Sequence, residues 1–303
     1  MEFDLLCIGD LNLDLLVRVP RFPVEDDEVE AQEMRSFPGG DAANTAAQAA
    51  RLGMKTALIG SVGHDEAGRT LLAALKHKGV DTSLVQISRE QPTGSTILTV
   101  RSDGQRNLIA SRGANSLLKL GEAHRSVLNS AKRVHVSDPL PQTIQALGRL
   151  IDPKMTRVSL DPGSITAARG LRELLTLLQL TRTYMSNQHE LLLLTGDADL
   201  ETAAKRLMEL GVEQIFVKCG AQGSRVFTRD REWSVPGFQK DVMDATGAGD
   251  AFDAGILYAQ MHQLSPGDAA RFANAVGVLA AAGLGGQESQ PDLSQVEHLL
   301  QGA

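Results

Sequence analysis

Towards the C-terminal end stands Asp244-Ala245-Thr246-Gly247-Ala248-Gly249-Asp250-Ala251-Phe252, a glycine-rich turn that runs into an apolar helical pattern. Glycines at a helix start let several main-chain N–H groups converge on one point, where the helix dipole also favours negative charge. Such a hole suits a phosphoryl group in transfer. An acid in the first turn beyond it, Asp250, would repel a resting anion, but it makes sense as the proton acceptor for an incoming hydroxyl. Two other glycine motifs fail on spacing. A dinucleotide fingerprint needs a third glycine where Phe252 stands, and no Gly-x-x-x-x-Gly-Lys-Ser/Thr string occurs. By residues alone, a plain tight loop with Asp250 as a helix-start acid is an equal reading.

Further polar groups recur at the ends of apolar runs. Phe37-Pro38-Gly39-Gly40-Asp41-Ala42-Ala43-Asn44 opens a helix. Its glycines let the chain pass close to a polyol, and Asn44 offers both donor and acceptor, though an amide so placed also fits a helix surface. Gly9-Asp10-Leu11-Asn12-Leu13-Asp14 leaves the first apolar run with two acids. In Ser186-Asn187-Gln188-His189-Glu190, the Asn and Glu can form a capping box, or together order a hydrated Mg²⁺ and phosphate. Lys218, before Cys219-Gly220-Ala221-Gln222-Gly223, reads as a phosphate contact or as a snorkelling cation.

These strings resemble the signatures of the ribokinase-like (PfkB) carbohydrate kinase family, and the likeness covers nearly the whole chain. The resemblance implies that Asp250 is the catalytic base and that Gly247, Ala248 and Gly249 supply the anion hole. It implies substrate contacts at Asp14, Gly39, Gly40, Asp41 and Asn44, with Asn12 a weaker one. Asn187, Glu190, Lys218, Gly220, Gly223 and Asn274 would face ATP and its Mg²⁺. Asp244, Thr246, Ala280, Gly283, Gly285 and Ser289 would surround a monovalent cation such as K⁺. The implied activity is ATP-dependent phosphorylation of a hydroxyl on a sugar or sugar-derived small molecule. A nucleoside kinase of the same fold, or a catalytically silent sugar- or nucleotide-binding regulator, are the alternatives. One departure matters. Kinases nearest ribokinase carry Lys after the glycine pair, whereas this chain has Asp41, so ribose is not assumed.

The elements that must position these groups follow from the pattern. Leu5–Gly9, Thr56–Ser61, Arg133–Ser137, Arg157–Leu160, Tyr184–Ser186 and Gln214–Lys218 read as strands separated by helical stretches. That alternation predicts a three-layer α/β/α fold with a mostly parallel sheet. Leu15–Val19, Glu28–Ser36 and a hairpin, Ser95–Val100 with Asn107–Ser111 turning at Asp103-Gly104, break the rhythm. They are assigned to a small β-sheet lid, at about residues 13–36 and 94–112 of one kinase domain spanning 1–303. Arg35, Arg112 and Asn115 are expected to line the pocket under it, and a second copy of the chain to cover its apolar residues. Asp65 reads as a helix N-cap and Asp161-Pro162-Gly163 as a turn without a role.

Composition bounds the partners. Aromatics make up only 4% of the 303 residues, so the core must be Ala, Leu, Val and Ile. A net charge of −7 argues against a nucleic-acid partner, and no apolar run approaches membrane-spanning length. Cys7 and Cys219 sit in no paired motif and read as reduced thiols of a cytoplasmic protein. The seven histidines show no metal-ligand spacing.

Overall fold

The computed structural model describes residues 2–103 and 105–302. Along them run β1 (Leu5–Ile8), β2 (Asn12–Val19), β3 (Glu33–Gly39), β4 (Thr56–Ile59), β5 (Ser61–Gly63), β6 (Gln86–Ser88), β7 (Gly94–Arg101), β8 (Arg106–Ser111), β9 (Arg133–Ser137), β10 (Arg157–Asp161), β11 (Thr181–Asn187), β12 (Gln214–Lys218), β13 (Ser224–Thr228) and β14 (Glu232–Val235). Eight of these form the main sheet, in the order β14-β13-β12-β11-β10-β9-β1-β4. Its pairs are parallel from β4 through β12, and β13 and β14 add an antiparallel edge.

Strands covered on both faces must be apolar throughout, and β1 and β4 are buried at every position. The pleat then sends alternate residues to two cores. Leu5 and Cys7 join Ala43, Ala46 and Leu257 on one side of the sheet, while Leu6 and Ile8 join Val134, Leu147 and Leu160 on the other. The scarcity of aromatics has a structural counterpart in close helix packing. Helix Ala248–Met261 lies against Pro266–Ala280 so tightly that a side chain at Gly255 would meet the Ala273 Cα at 2.9 Å.

A second sheet has the order β3-β2-β7-β8. The hairpin of β7 and β8 is antiparallel, as its sequence suggests; Gly104, the second residue of the expected turn, lies outside the described residues. The parallel pairing of β2 with β7 joins segments about eighty residues apart and leaves no local trace in the sequence. Strand β3 starts at Glu33 rather than Glu28, because Asp27 folds back onto Arg21 and pairing resumes only where Gln32 N–H donates to Arg18 O at 2.8 Å. The inner face of this sheet, with Asp14, Leu16, Phe37 and Leu98, looks onto Asp244 and Thr246; Met34, Ile97 and Ile109 are exposed.

The expected strand Thr56–Ser61 is interrupted at Gly60, where a side chain would strike Leu11 and the Gly9 carbonyl, and Ser61 starts the short pair β5–β6. Asp65 caps helix Glu66–His77 by accepting from Gly68 N–H at 2.8 Å, and also takes Thr93 N–H at 2.8 Å. Among the described residues, no helix is long and apolar enough to cross a membrane.

Leu6 contributes a whole side chain to the second core. Leu6→Ala is expected to lower unfolding free energy by about 2–5 kcal/mol, measured by urea denaturation.

Candidate active site

The parallel strands deliver polar groups to one edge. Asp10 follows β1, Asp138 follows β9, and Asp161, Asn187 and Lys218 are the last residues of β10, β11 and β12. Carboxyl ends of parallel strands are where open α/β sheets bind ligands. Helix Ala248–Met261 begins above this edge. Its N-cap, Gly247, has φ 74° and packs its Cα against the main chain of Gly286, a conformation and a closeness that only glycine allows.

The first turn of a helix has N–H groups without main-chain acceptors. Of the three residues Gly247–Gly249 that the resemblance assigns to an anion hole, Ala248 is partly spoken for, its N–H donating back to Ala245 O at 3.2 Å. Among the described residues, the amides of Gly247, Gly249 and Asp250 have no acceptor. Asp250 itself is half-buried beside them, and Asn44 Nδ2 donates to its Oδ2 at 2.8 Å. Burial pushes the Asp250 carboxyl up to about 7, against the pull of Lys218 and the Asn44 hydrogen bond, with Asp161 and Asp10 adding repulsion.

Below the lid the site is dominated by carboxylates. Asp14 is raised to about 7, by burial first and then by Asp10. Asp10 is raised to about 6 by burial and by Asp138. Asp41 lies well above the ordinary range through burial and the nearby Asp250, Asp10, Asp161 and Asp138. Its side chain has no hydrogen-bond partner among the described residues. Gly40 (φ 99°) brings helix Asp41–Arg51 against the main chain at Asp10 and Asn12, and Gly39 leaves room for the Asp14 carboxylate. Asn12 Nδ2 donates to Asp10 Oδ2 at 2.6 Å, so this side chain supports the acid beside it. Asn115 is buried and holds Leu11 from both its N–H and its carbonyl, at 3.0 Å each. Arg112 pairs with Asp138 at 2.8 Å, and Arg35 pairs with Glu33 on the exposed lid. Of the three residues expected under the lid, only Arg112 and Asn115 reach the cleft.

On the far side of the helix start is a cavity of about 410 Å³, in the range of a small-ligand site. Lys218, Gly220, Gly223, Asn274, Phe238 and Val278 line it, and it extends to Ala248 and Gly249. Asn274 Nδ2 donates to Val235 O and Pro236 O, both at 3.2 Å, and so fixes the cavity wall. Asn187 and Glu190 form the full capping box: Asn187 Oδ1 accepts from Glu190 N–H and Glu190 Oε2 from Asn187 N–H, each at 2.9 Å. Ser164 Oγ donates to the remaining Glu190 oxygen at 2.8 Å. This pair stands at the carboxyl end of β11, outside the cavity lining.

Asp244 ties two loops together, its Oδ1 accepting from Thr246 N–H (2.9 Å) and Oγ1 (2.7 Å) and its Oδ2 from Gly285 N–H (2.9 Å). Gly283 is so near Ser289 that a side chain there would strike the Ser289 hydroxyl, and Ala280 ends the neighbouring helix. The residues assigned by resemblance to a cation are therefore gathered in one place. Asp244's carboxylate is already engaged, which leaves main-chain carbonyls and the serine hydroxyl as free donors.

Sequence reasoning passed over Asp161 and Asp253, which explain Lys218. The Lys218 ammonium donates to Asp161 Oδ2 (2.7 Å), Asp253 Oδ2 (2.9 Å) and Gly249 O (3.2 Å). It does not snorkel to solvent but is tied to two acids at the cavity wall. Burial alone would lower Lys218, but Asp161 and Asp253 outweigh it and hold it well above its usual value. Asp161 is correspondingly held low by Lys218 despite burial, while Asp253, 1% exposed, is pushed up by burial. The signal was available: Asp161 is the last residue of a parallel strand, and Asp253 lies one helical turn beyond Asp250. Lys218→Met would leave two buried acids unpaired and is expected to cost about 3–5 kcal/mol of stability. Without the cation the Asp161 pKa rises, so the deficit should be smaller at about pH 5 than at about pH 8, read by urea unfolding at both.

Comparison with known proteins agrees with this geometry. The pfkB family carbohydrate kinase pattern matches residues 2–293. The ATP-dependent ribose-1-phosphate kinase of Halopiger xanaduensis is 32% identical over 295 residues, covering 97% of this chain and 97% of that one. The ribokinase of Haemophilus influenzae is 27% identical over 312 residues, covering 100% of both. The solved structure of Arabidopsis thaliana ribokinase complexed with ribose and ATP superposes with a TM-score of 0.88 at 28% identity, over 99% of each chain. The protein thus belongs to the pfkB family of carbohydrate kinases, ATP-dependent enzymes that phosphorylate a sugar or nucleoside small molecule.

Proposed function

We propose that this kinase phosphorylates an uncharged, hydroxyl-rich acceptor, with Asp250 as the catalytic base. The observation that carries the reading is Asp250 beside three amides that have no acceptor among the described residues, between the nucleotide cavity and a cleft walled by Asp10, Asp14 and Asp41. Those acids offer acceptors to hydroxyl donors, those that ionise repel anions, and the guanidinium in reach, Arg112, is neutralised by Asp138. The relative from Halopiger xanaduensis acts on a phosphorylated ribose; the carboxylate wall favours an acceptor without that phosphate here.

In the proposed step, Asp14, Asp41 and Asn44 orient the acceptor. Its hydroxyl oxygen attacks the γ-phosphorus of ATP, the bond from that phosphorus to the bridging oxygen of ADP breaks, and the hydroxyl proton passes to Asp250. The amides of Gly247, Gly249 and Asp250 hold the transferring group, and Lys218 keeps Gly249 in place from behind. Bound Mg²⁺ supplies charge neutralisation of the phosphates. Asn187 and Glu190, whose nearest lone pairs are already engaged, suit its water shell rather than the ion itself. A K⁺ ion would be held by the carbonyls of Thr246, Ala280 and Gly283 and by Ser289, with Asp244 balancing its charge. Two unpaired thiols accord with a cytoplasmic setting.

ATP consumption should appear with neutral sugars, polyols or nucleosides and be weaker with sugar acids and sugar phosphates. With the best acceptor, kcat/KM should rise with pH through a midpoint near 7, because Asp250 acts only when ionised. Asp250→Asn should lower kcat by about 10²–10⁴-fold. Retention of wild-type turnover would remove Asp250 from its role, and ATP left untouched across the whole panel would favour a silent binding protein. The exposed Met34, Ile97 and Ile109 on the outer lid suit a second copy of the chain. Sedimentation at micromolar concentration is expected to show a dimer, and Ile109→Lys to dissociate it.

A further inference from the structure

Among the described residues, one side chain donates to the carboxylate of the proposed base, and that side chain has two ends of opposite polarity. Asn44 presents Nδ2 to Asp250; turned over, it would set Oδ1 against the carboxylate, acceptor to acceptor. The two ends are nearly equal in size, so shape does not choose between them. A second partner has to. That partner is Gln287, whose Nε2 donates to Asn44 Oδ1 at 3.0 Å. Gln287 is 1% exposed, and no motif in the sequence singles it out.

We propose that Gln287 is a positioning residue for the base, fixing the Asn44 amide so that its N–H, and not its oxygen, meets Asp250. The inference rests on the kinase reading and concerns a residue that reading does not use.

Several contacts hold Gln287 for this task. Lys78 Nζ donates to its main-chain carbonyl at 2.6 Å. Gln290 Nε2 donates to Asn44 O at 2.8 Å and Gln48 Nε2 to Pro291 O at 2.9 Å, so the loop just beyond Gln287 is pinned to helix Asp41–Arg51. At Gly286, a side chain would meet the Asn44 amide nitrogen at 2.8 Å, and the same glycine packs against Gly247. The loop is therefore wedged between the helix start that carries Asp250 and the residue that orients it. Gln287 Oε1 is buried with no hydrogen-bond partner among the described residues. A buried amide half-satisfied costs stability that Met or Leu would spare. What the glutamine provides in return is a donor pointed at Asn44 Oδ1.

The consequence is readable in pH dependence. A hydrogen bond donated to Asp250 favours its ionised form and lowers its pKa, so losing that donor moves the acid limb of kcat/KM to higher pH. Lys218, Asp161, Asp10 and Asp41 also act on Asp250, and none of them is altered by a change at residue 287. A shift of the limb therefore reports on Asn44.

The test compares pH–rate profiles of the full-length wild type, Gln287→Met, Gln287→Glu, Asn44→Ala, the Gln287→Met/Asn44→Ala double variant and Gln290→Met. Gln287→Met is expected to lower kcat by about 10- to 100-fold and to raise the acid limb. Gln287→Glu, which keeps the size but turns the donor into an acceptor, should do both more strongly, because Asn44 then turns its N–H away from Asp250. The double variant should be no worse than Asn44→Ala, since both changes remove one contact. Gln290→Met, equally buried in the same loop, should lose stability and leave the limb in place. Should Gln287→Met fail to fold, the limb of Gln287→Glu carries the same decision. Additive losses, or a limb unmoved in both Gln287 variants while the wild type turns over, would overturn this proposal alone. No turnover by the wild type on any acceptor would overturn it together with the functional reading.

Discussion

Everything in the site depends on amide groups that a helix cannot satisfy for itself. Among the described residues, the N–H groups of Gly247, Gly249 and Asp250 at the start of Ala248–Met261 have no acceptors, and an acid side chain stands on the last of them. In water these donors would be solvated. Held at the carboxyl edge of a parallel sheet, they form a fixed positive concavity with a carboxylate on its rim. The glycine at 247 is required by its φ of 74° and by the main chain of Gly286 behind it, so the loop that closes the site and the turn that opens it constrain each other.

The concavity is set among acids, which is costly. Asp10, Asp14, Asp41 and Asp250 all lie above the ordinary carboxylate range because burial and mutual repulsion disfavour their charges. Two cations offset part of this: Lys218, locked between Asp161 and Asp253, and Arg112, locked to Asp138. Neither can leave its partners for a ligand without exposing a buried charge. The remaining acceptors are available to a ligand that brings hydroxyl protons. In the proposed reading stability and specificity have a common origin, since a donor-rich acceptor in the cleft would offset free energy lost by crowding carboxylates.

Much of this was legible in the sequence where local rules suffice. Strands β1 and β12 are built on apolar runs covered on both faces, so their limits coincide with composition. Helix Asp41–Arg51 starts at a glycine and Asp65 caps its helix as its type suggests. What local rules missed depends on strand order. Asp161 looked like a turn residue because nothing nearby marks β10 as the neighbour of β9 and β11, yet that order brings it to Lys218. The lid's parallel pairing of β2 with β7 was hidden for the same reason. Asn187 and Glu190 show the converse, a motif with two valid readings of which the capping box is fully formed. Gln287 had no signal at all, because its role exists only when Asn44 and Asp250, which are 206 positions apart, become neighbours.

The most direct measurement is a structure of the protein with ADP, Mg²⁺, aluminium fluoride and the acceptor that its own turnover selects. The account predicts the planar fluoride group seated on the amides of Gly247, Gly249 and Asp250, with one acceptor hydroxyl within about 3 Å of an Asp250 carboxylate oxygen. A fluoride group seated away from those amides, or an acceptor whose reacting hydroxyl faces another acid while Asp250 contacts only Asn44, would contradict it.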